Sequence, residues 1–240
     1  MLRKSDGYRN IIIQLKDSSL NDGVRGAGPD TGEGAGFGGA NIATGSLGEF
    51  GLIDRLAEFG VAENLANAES VLTGIGDDAA VVSTPSGEML LTTDAIVDGV
   101  HFRSVDERWY DIGWKCTVSN LSDIAAMGGV PDHALVTLGV PKGASAVTFT
   151  DFYSGMNEAF AEFGGRVVGG DVVSSPTMFV NIALTGNPSH DAGGATAWLR
   201  RDAARVGDLV CVTGALGGSA GGLEVLLAGD TNPSGQALVD

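Results

Sequence analysis

Apolar positions along the chain alternate between two spacings, and the changes of spacing mark out its elements. Two short runs with strand character, residues 79–82 and 89–91, flank a turn-forming Thr84-Pro85-Ser86-Gly87, which predicts an antiparallel hairpin. Before it, Phe50, Ile53, Leu56 and Ala57 recur at helical intervals behind Ser46 and Glu49, which have capping-box spacing, and Gly60 ends the run. After it, Trp109, Ile112, Cys116, Ile124 and Met127 give a helical pattern over residues 106–127, stopped by Gly128-Gly129 and Pro131. Residues 134–140 read as a strand. Residues 150–163 read as an amphipathic helix, with Phe152, Met156, Ala159, Phe160 and Phe163 on one face and Gly164-Gly165 at its end. Residues 166–168, 178–185 and 209–213 read as strands and 219–227 as a helix.

Interleaved strands and helices of this kind predict an α/β (α+β) fold, with a mixed or antiparallel sheet packed by helices. Three regions are expected. Residues 1–45 form a tail whose stretch GVRGAGPDTGEGAGFGG is too rich in glycine to offset its ordering entropy. Gly34, Gly36 and Gly39 make a formal G-x-G-x-x-G there, but it lacks the strand before and helix after that a dinucleotide site requires. Residues 46–188 form the main domain. Beyond Asn187-Pro188, the polar run SHDAGGAT marks a boundary, and residues 189–240 hold too little structure for an independent domain, as if a second α/β domain were cut short.

Composition narrows the chemistry. At 240 residues, 43% hydrophobic and 18% charged, the chain has ample material for a core. A formal net charge of −16 argues against nucleic acid or an anionic membrane as partner. A phosphate ligand would need metal ions between it and this acidic surface. No apolar window approaches the length of a membrane span, and residues 11–13 are too short an apolar run for a secretory signal. The expected location is the cytoplasm, where Cys116 and Cys211 would be two buried thiols.

The hairpin carries the most pointed signal. Asp77 and Asp78 precede its first strand and Asp94 follows its second, so antiparallel pairing brings them to one end beside Thr92 and Thr93. Two carboxylates about 4 Å apart repel by roughly 4 kcal/mol at an effective dielectric of 20, and a hard divalent cation bound through oxygens relieves this. Asp123 lies near a helix end in NLSDIAAMGG. Asp171 follows an expected buried strand in VVGGDVV, where Gly169 and Gly170 allow close approach to the backbone. With the hairpin acids they could converge on several metals. His101, in DGVHF, is either a structural residue or a hydrogen-bond donor to a phosphate. His133 and His190 lack zinc-ligand spacing. Residues 217–221 read GGSAG, but no histidine follows Ser219, which excludes a serine hydrolase of the α/β type. There is no P-loop motif.

These runs resemble the thiamine-monophosphate kinases of the aminoimidazole ribonucleotide synthetase-like superfamily. GEFGLI at 48–53, GIGDDA at 74–79, TTDAIVDGVHF at 92–102, NLSDIAAMG at 120–128, VVGGD at 167–171 and RDAARVGD…VTGALGGSAGGL at 201–223 fall in family order. The resemblance implies ATP-dependent phosphorylation of thiamine monophosphate to thiamine diphosphate by a cytoplasmic homodimer that pairs through its sheet. It implies magnesium at Asp78, Thr92, Thr93, Asp94, Asp123 and Asp171, nucleotide at Gly170, Asp171 and Arg201, and substrate at His101. Because the acceptor is already an anion, no general base is expected. Asp78, Asp94, Asp123 and Asp171 would act by holding Mg²⁺ for direct in-line transfer. The family's later Leu-Ser-Asp-Gly and Gly-Glu-Asp segments do not occur before Asp240, so the family pattern is read as truncated. Two alternatives remain: a sister ATP-dependent ribonucleotide synthetase-type enzyme, or a non-catalytic Mg-nucleotide-binding dimer.

Overall fold

The structure is a computed structural model that describes residues 48–56, 68–105, 107–191, 193–212 and 214–229. Its elements in chain order are α1 (Gly48–Leu56), β1 (Val71–Thr73), β2 (Ala80–Thr84), β3 (Gly87–Val97), α2 (Trp109–Ala126), β4 (Gly129–Val140), α3 (Ala146–Phe163), β5 (Arg166–Ser174), β6 (Phe179–His190), β7 (Thr196–Ala197) and α4 (Gly218–Ala228). The described residues fall into two compact units, with α1 in one and everything from Leu72 onward in the other. The tail, its glycine motif, Ser46 of the capping box and the helix end at Gly60 lie outside the described residues.

Seven strands form one mixed sheet in the order β1-β2-β3-β6-β4-β5, with β7 added to β6. The pairs β2–β3, β3–β6 and β6–β4 are antiparallel, and β4–β5 is parallel. A parallel neighbour needs a crossover, which α3 supplies between β4 and β5. The mixed sheet packed by helices is the fold class expected from the sequence.

One face of the sheet forms the core. Along β6, Val180, Ile182 and Leu184 are buried, while Asn181, Ala183 and Thr185 alternate outward. Ala134, Val136 and Leu138 do the same on β4, and Leu90 and Ile96 on β3. Against them lie Ile112, Cys116 and Ile124 of α2 and Phe152, Met156 and Phe160 of α3, all at most 4% exposed. The two helices meet through glycine: a Cβ on Gly113 would stand 2.0 Å from the Phe152 carbonyl oxygen, and one on Gly155 would stand 1.9 Å from that of Tyr110.

Several elements extend beyond their sequence signals. β4 begins at Gly129, so Gly128-Gly129 ends α2 and opens a strand at once. Pro131 is accommodated because the β4–β6 register shifts between Pro131 and Ala134, and β5 does not join β4 until His133. β6 runs through Asn187-Pro188 to His190, with Pro188 paired to Gly129. The SHDAGGAT run is a tight turn into β7, not an open linker: Asp191 Oδ1 accepts the Gly193 and Ala195 N–H groups, and Asp191 N–H donates to Ala195 O. β5 extends through Gly169-Gly170-Asp171 to Ser174, and it is an exposed strand where a buried one was expected. The strand expected at 209–213 is absent over its described part. Leu209 and Val210 are at least 90% exposed there, and no strand pairs with them. Cys116 is buried as expected, but Cys211 is exposed, and both are free thiols.

Candidate functional site

The β2–β3 hairpin pairs Ala80 with Leu91 and Thr84 with Gly87, so the acids before β2 come beside Thr92–Asp94 as its sequence predicts. Pairing with β2 stops at Leu91, and α2 packs over the strand beyond it. Thr92 Oγ1 donates to Asp123 Oδ2 at 2.7 Å and lies 3.3 Å from the Asp78 carbonyl oxygen. One hydroxyl thus ties the middle of β3 to α2 and to the GIGDD loop. Two turns of α2 aim at the same place, because Asn120 and Asp123 are three residues apart and share a helix face.

Asp94 is gripped on both sides of its peptide. Its N–H donates to Asn120 Oδ1 at 3.0 Å, and its carbonyl lies 3.3 Å from Asn181 Nδ2. Asn181 Nδ2 also donates to Thr93 Oγ1 at 2.9 Å. Thr93 therefore faces the side of the sheet opposite Thr92 and Asp94. Neither asparagine was singled out from sequence, although the Asn120–Asp123 spacing within NLSD was a legible signal. Asn181 carried none, because it reaches the site only through the β3–β6 register.

Arg201 closes the acidic end. Its guanidinium Nη2 meets Asp78 Oδ1 at 2.5 Å, and its backbone N–H donates to Asp77 Oδ1 at 2.9 Å. The segment carrying it is anchored by Trp198 Nε1 on Thr73 Oγ1 and by Leu199 N–H on Met127 O. Beside it, Arg200 forms a two-pronged pair with Asp202, which holds the Asp202 carboxyl below its ordinary range. A cleft of about 480 Å³ lies between the Leu72–Asp77 stretch and Arg200–Asp202, within the size range of small-ligand sites.

Asp171 is placed elsewhere. Asp94 pairs with Ile182, Ile182 with Val136, and Val136 with Gly170, so Asp94 and Gly170 share one row across four strands. Three inter-strand steps of about 4.8 Å separate them by roughly 14 Å. Asp171 falls in the next row, with Thr137, Asn181 and Ala95, and so faces the side opposite Asp94. Gly170 fits tightly against β4: an added Cβ would lie 1.9 Å from the Val136 oxygen. His101 sits in the loop after β3. Its Nδ1 accepts the Val97 N–H at 3.1 Å, and its carbonyl accepts from Lys115 Nζ at 2.6 Å. Among the described residues, no three histidine, cysteine or acidic side chains are gathered closely enough to hold a metal ion in this arrangement.

The family of AIR synthase related proteins, N-terminal domain, matches residues 76–187, which include every element from β2 to α3 and all of β5. The chain is 39% identical over 183 residues to thiamine-monophosphate kinase of Aquifex aeolicus, covering 75% of this chain and 53% of that one. It is 38% identical over 170 residues to the Bacillus subtilis enzyme of the same name, covering 70% and 51%. A solved structure described as AaThiL complexed with AMPPCP and TMP superposes with a TM-score of 0.70 at 35% identity, covering 84% of this chain and 60% of that one.

The chain is similar to the thiamine-monophosphate kinases.

It spans about half the length of the curated kinases it matches. The sequence resemblance and the fold therefore agree. TTD and NLSD, 28 positions apart from Thr92 to Asn120, are brought into contact by the packing of α2 on β3.

Proposed function

We propose that the chain carries part of the site of an ATP- and Mg²⁺-dependent kinase that phosphorylates thiamine monophosphate to thiamine diphosphate by direct in-line transfer. The observation that carries this reading is the Thr92–Asp123 hydrogen bond, which joins two family runs into a single oxygen-rich site. Similarity to kinases of that name, one solved with an ATP analogue and TMP, supports the choice of substrates.

The donors are of the type that a hard cation takes, and such a cation would have to draw them closer together than they stand here. Asp78, Asp94 and Asp123 offer carboxylates, Thr92 a hydroxyl and Thr93 its backbone, with no sulfur or imidazole in the set. Magnesium bound there would neutralise phosphate oxygens beside an otherwise repelling protein. Asp171 serves as a further ligand at a separate position, and Gly170 with Asp171 lets a nucleotide approach the backbone of β5. Arg201 now neutralises Asp78 and would turn to a polyphosphate lying in the cleft beside it. In His101, the Val97 N–H on Nδ1 fixes the neutral ring's proton on Nε2, leaving Nε2–H as a donor for the acceptor phosphate. A phosphate acceptor needs no deprotonation, so these residues act by positioning and charge alone.

The sheet face opposite α2 and α3 exposes Leu135, Val130 and Ala183 and supports a homodimer that pairs there. No described helix is long and apolar enough to cross a membrane, and a cytoplasmic location goes with the use of ATP. The test is a single-turnover assay with γ-labelled ATP and thiamine monophosphate. Labelled thiamine diphosphate should form only with Mg²⁺ and should vanish in Asp123→Asn. Labelling of a different acceptor, with thiamine monophosphate left unchanged, would refute the assignment.

A further inference from the structure

We infer that Lys115 is a positioning residue that, together with Asp98, holds the His101 ring with its Nε2–H presented to an anion. The inference rests on the acceptor-phosphate role proposed for His101 and deepens it by naming the groups that set the orientation of the ring.

The need arises because His101 is exposed, so burial does not fix its side chain. The loop that carries it leaves β3 through a sharp turn at Gly99, where φ is +81°, and folds back on the last residue of the strand. The Val97 carbonyl accepts the Val100 and His101 N–H groups at 3.1 and 2.9 Å, and the Val97 N–H donates to His101 Nδ1 at 3.1 Å. A neutral ring that accepts at Nδ1 carries its proton at Nε2. It keeps that tautomer only while the loop holds the ring over Val97. One neutral hydrogen bond at the surface is too weak to do this alone.

Two further contacts supply the hold. Lys115 Nζ, from α2, donates to the His101 carbonyl at 2.6 Å and so fixes the peptide plane between His101 and Phe102. Phe102 is buried and meets Trp109 edge to face, and with that side anchored a turn of the peptide plane would swing the ring off Val97. Asp98 closes the loop at its base: Oδ1 accepts the Ser104 N–H at 3.0 Å and Oδ2 the Ser104 hydroxyl at 2.5 Å. In a chain with 30 acidic residues against 14 lysines and arginines, the Lys115 ammonium goes to a backbone carbonyl, and to that of the residue whose ring would meet substrate. A charged donor makes the stronger bond there. Because Phe102 already ties the loop to the core, the lysine contributes orientation of His101 rather than attachment of the loop.

The test uses the full chain, with nitrogen-15 spectra of its three histidine rings and calorimetric titration of thiamine monophosphate in the presence of Mg²⁺. Both are run at about pH 8, above the ordinary imidazole range. The His101 signals are identified by their loss in His101→Ala and should show an unprotonated Nδ1 and a protonated Nε2. Lys115→Met and Asp98→Ala should each move them toward the tautomer mixture of a free imidazole. Lys115→Arg, which keeps a charged donor, should restore the fixed pattern. His101→Ala should weaken thiamine monophosphate binding about tenfold, as loss of one hydrogen bond to a charged group does. Lys115→Met should give most of that loss, and none beyond it when His101 is already alanine. Equal losses from Lys115→Met with and without His101 would show the lysine acting on substrate or fold by itself and would overturn the inference. So would His101 signals that stay fixed in both variants, or that are already averaged in the unaltered chain. A fixed Nε2–H tautomer in an unaltered chain that does not bind thiamine monophosphate, or binds it equally well without His101, would instead overturn the acceptor role on which the inference rests.

Discussion

Gly113→Ala sets helix propensity against packing. In an exposed helix, alanine is favoured over glycine by about 1 kcal/mol, so local propensity alone predicts a more stable protein. The structure predicts the reverse. The new Cβ would sit 2.0 Å from the Phe152 carbonyl oxygen and 3.2 Å from Met156 N, and real Cβ contacts under 3.0 Å are essentially never seen. The obstacle is backbone of α3, which cannot rotate aside, so the helices would have to part by roughly 1 Å in a core packed like a crystal. Ile112, Cys116, Phe152 and Met156, all at most 2% exposed, would lose contact on both sides of the gap. Overpacking alone costs about 1–3 kcal/mol. With those contacts loosened, a net loss of about 2 kcal/mol survives the propensity gain, lowering Tm by roughly 4–8 °C in a domain of this size. Thermal unfolding followed by circular dichroism measures it. Gly218→Ala on α4, where nothing lies within 4 Å, serves as the control and should be neutral or slightly stabilising. Because α2 also carries Asp123, the same displacement should break its 2.7 Å bond to Thr92 and lower turnover by on the order of 100-fold. A Gly113→Ala protein at least as stable as the unaltered chain would refute the helix contact.

Thr92→Val keeps the shape and removes the hydroxyl bound to Asp123. A half-buried bond to a carboxylate should be worth about 1.5 kcal/mol, and thermal unfolding without metal should show the loss. Arg201→Met frees Asp78 Oδ1, so calorimetry should find tighter Mg²⁺ binding without nucleotide and weaker binding of Mg-ATP. Its effect on stability should stay under about 1 kcal/mol, because the pair is largely solvent-exposed. A thiol reagent should modify Cys211 promptly and Cys116 only on unfolding, since burial pushes the Cys116 thiol up to about 12. By the same linkage, Cys116 favours the folded state fully below pH 9, its ordinary value, and that contribution is lost between pH 9 and about 12. A pH series of denaturant midpoints should therefore fall across that window, and less steeply in Cys116→Ala.

The sequence by itself determined the parts of this protein that depend on local periodicity. The alternation Val180, Ile182, Leu184 fixed which face of β6 is buried, and the five apolar positions of residues 150–163 fixed the inner face of α3. The short Pro85-Ser86 turn fixed the hairpin, and with it the meeting of the GIGDD and TTD acids. The run NLSD on a helix, together with that hairpin, was enough to recognise the relatives. Contacts between distant segments were decided only by the tertiary structure. Pro131 and Pro188 were read as ends, but β4 and β6 run through them because a register shift and a late-joining neighbour remove the need for their N–H groups. Residues 209–212 have strand composition yet form no strand, because a strand requires a partner and none of the described residues supplies one. Asp171 looked like a fourth member of the acidic cluster. The sheet order instead puts two strands between its strand and that of Asp94 and turns it to the other face, since side-chain direction follows the register across all four strands. Asn120 and Asn181 were silent for the same reason. Each reaches the Thr93–Asp94 segment only when α2 and β6 are laid against β3.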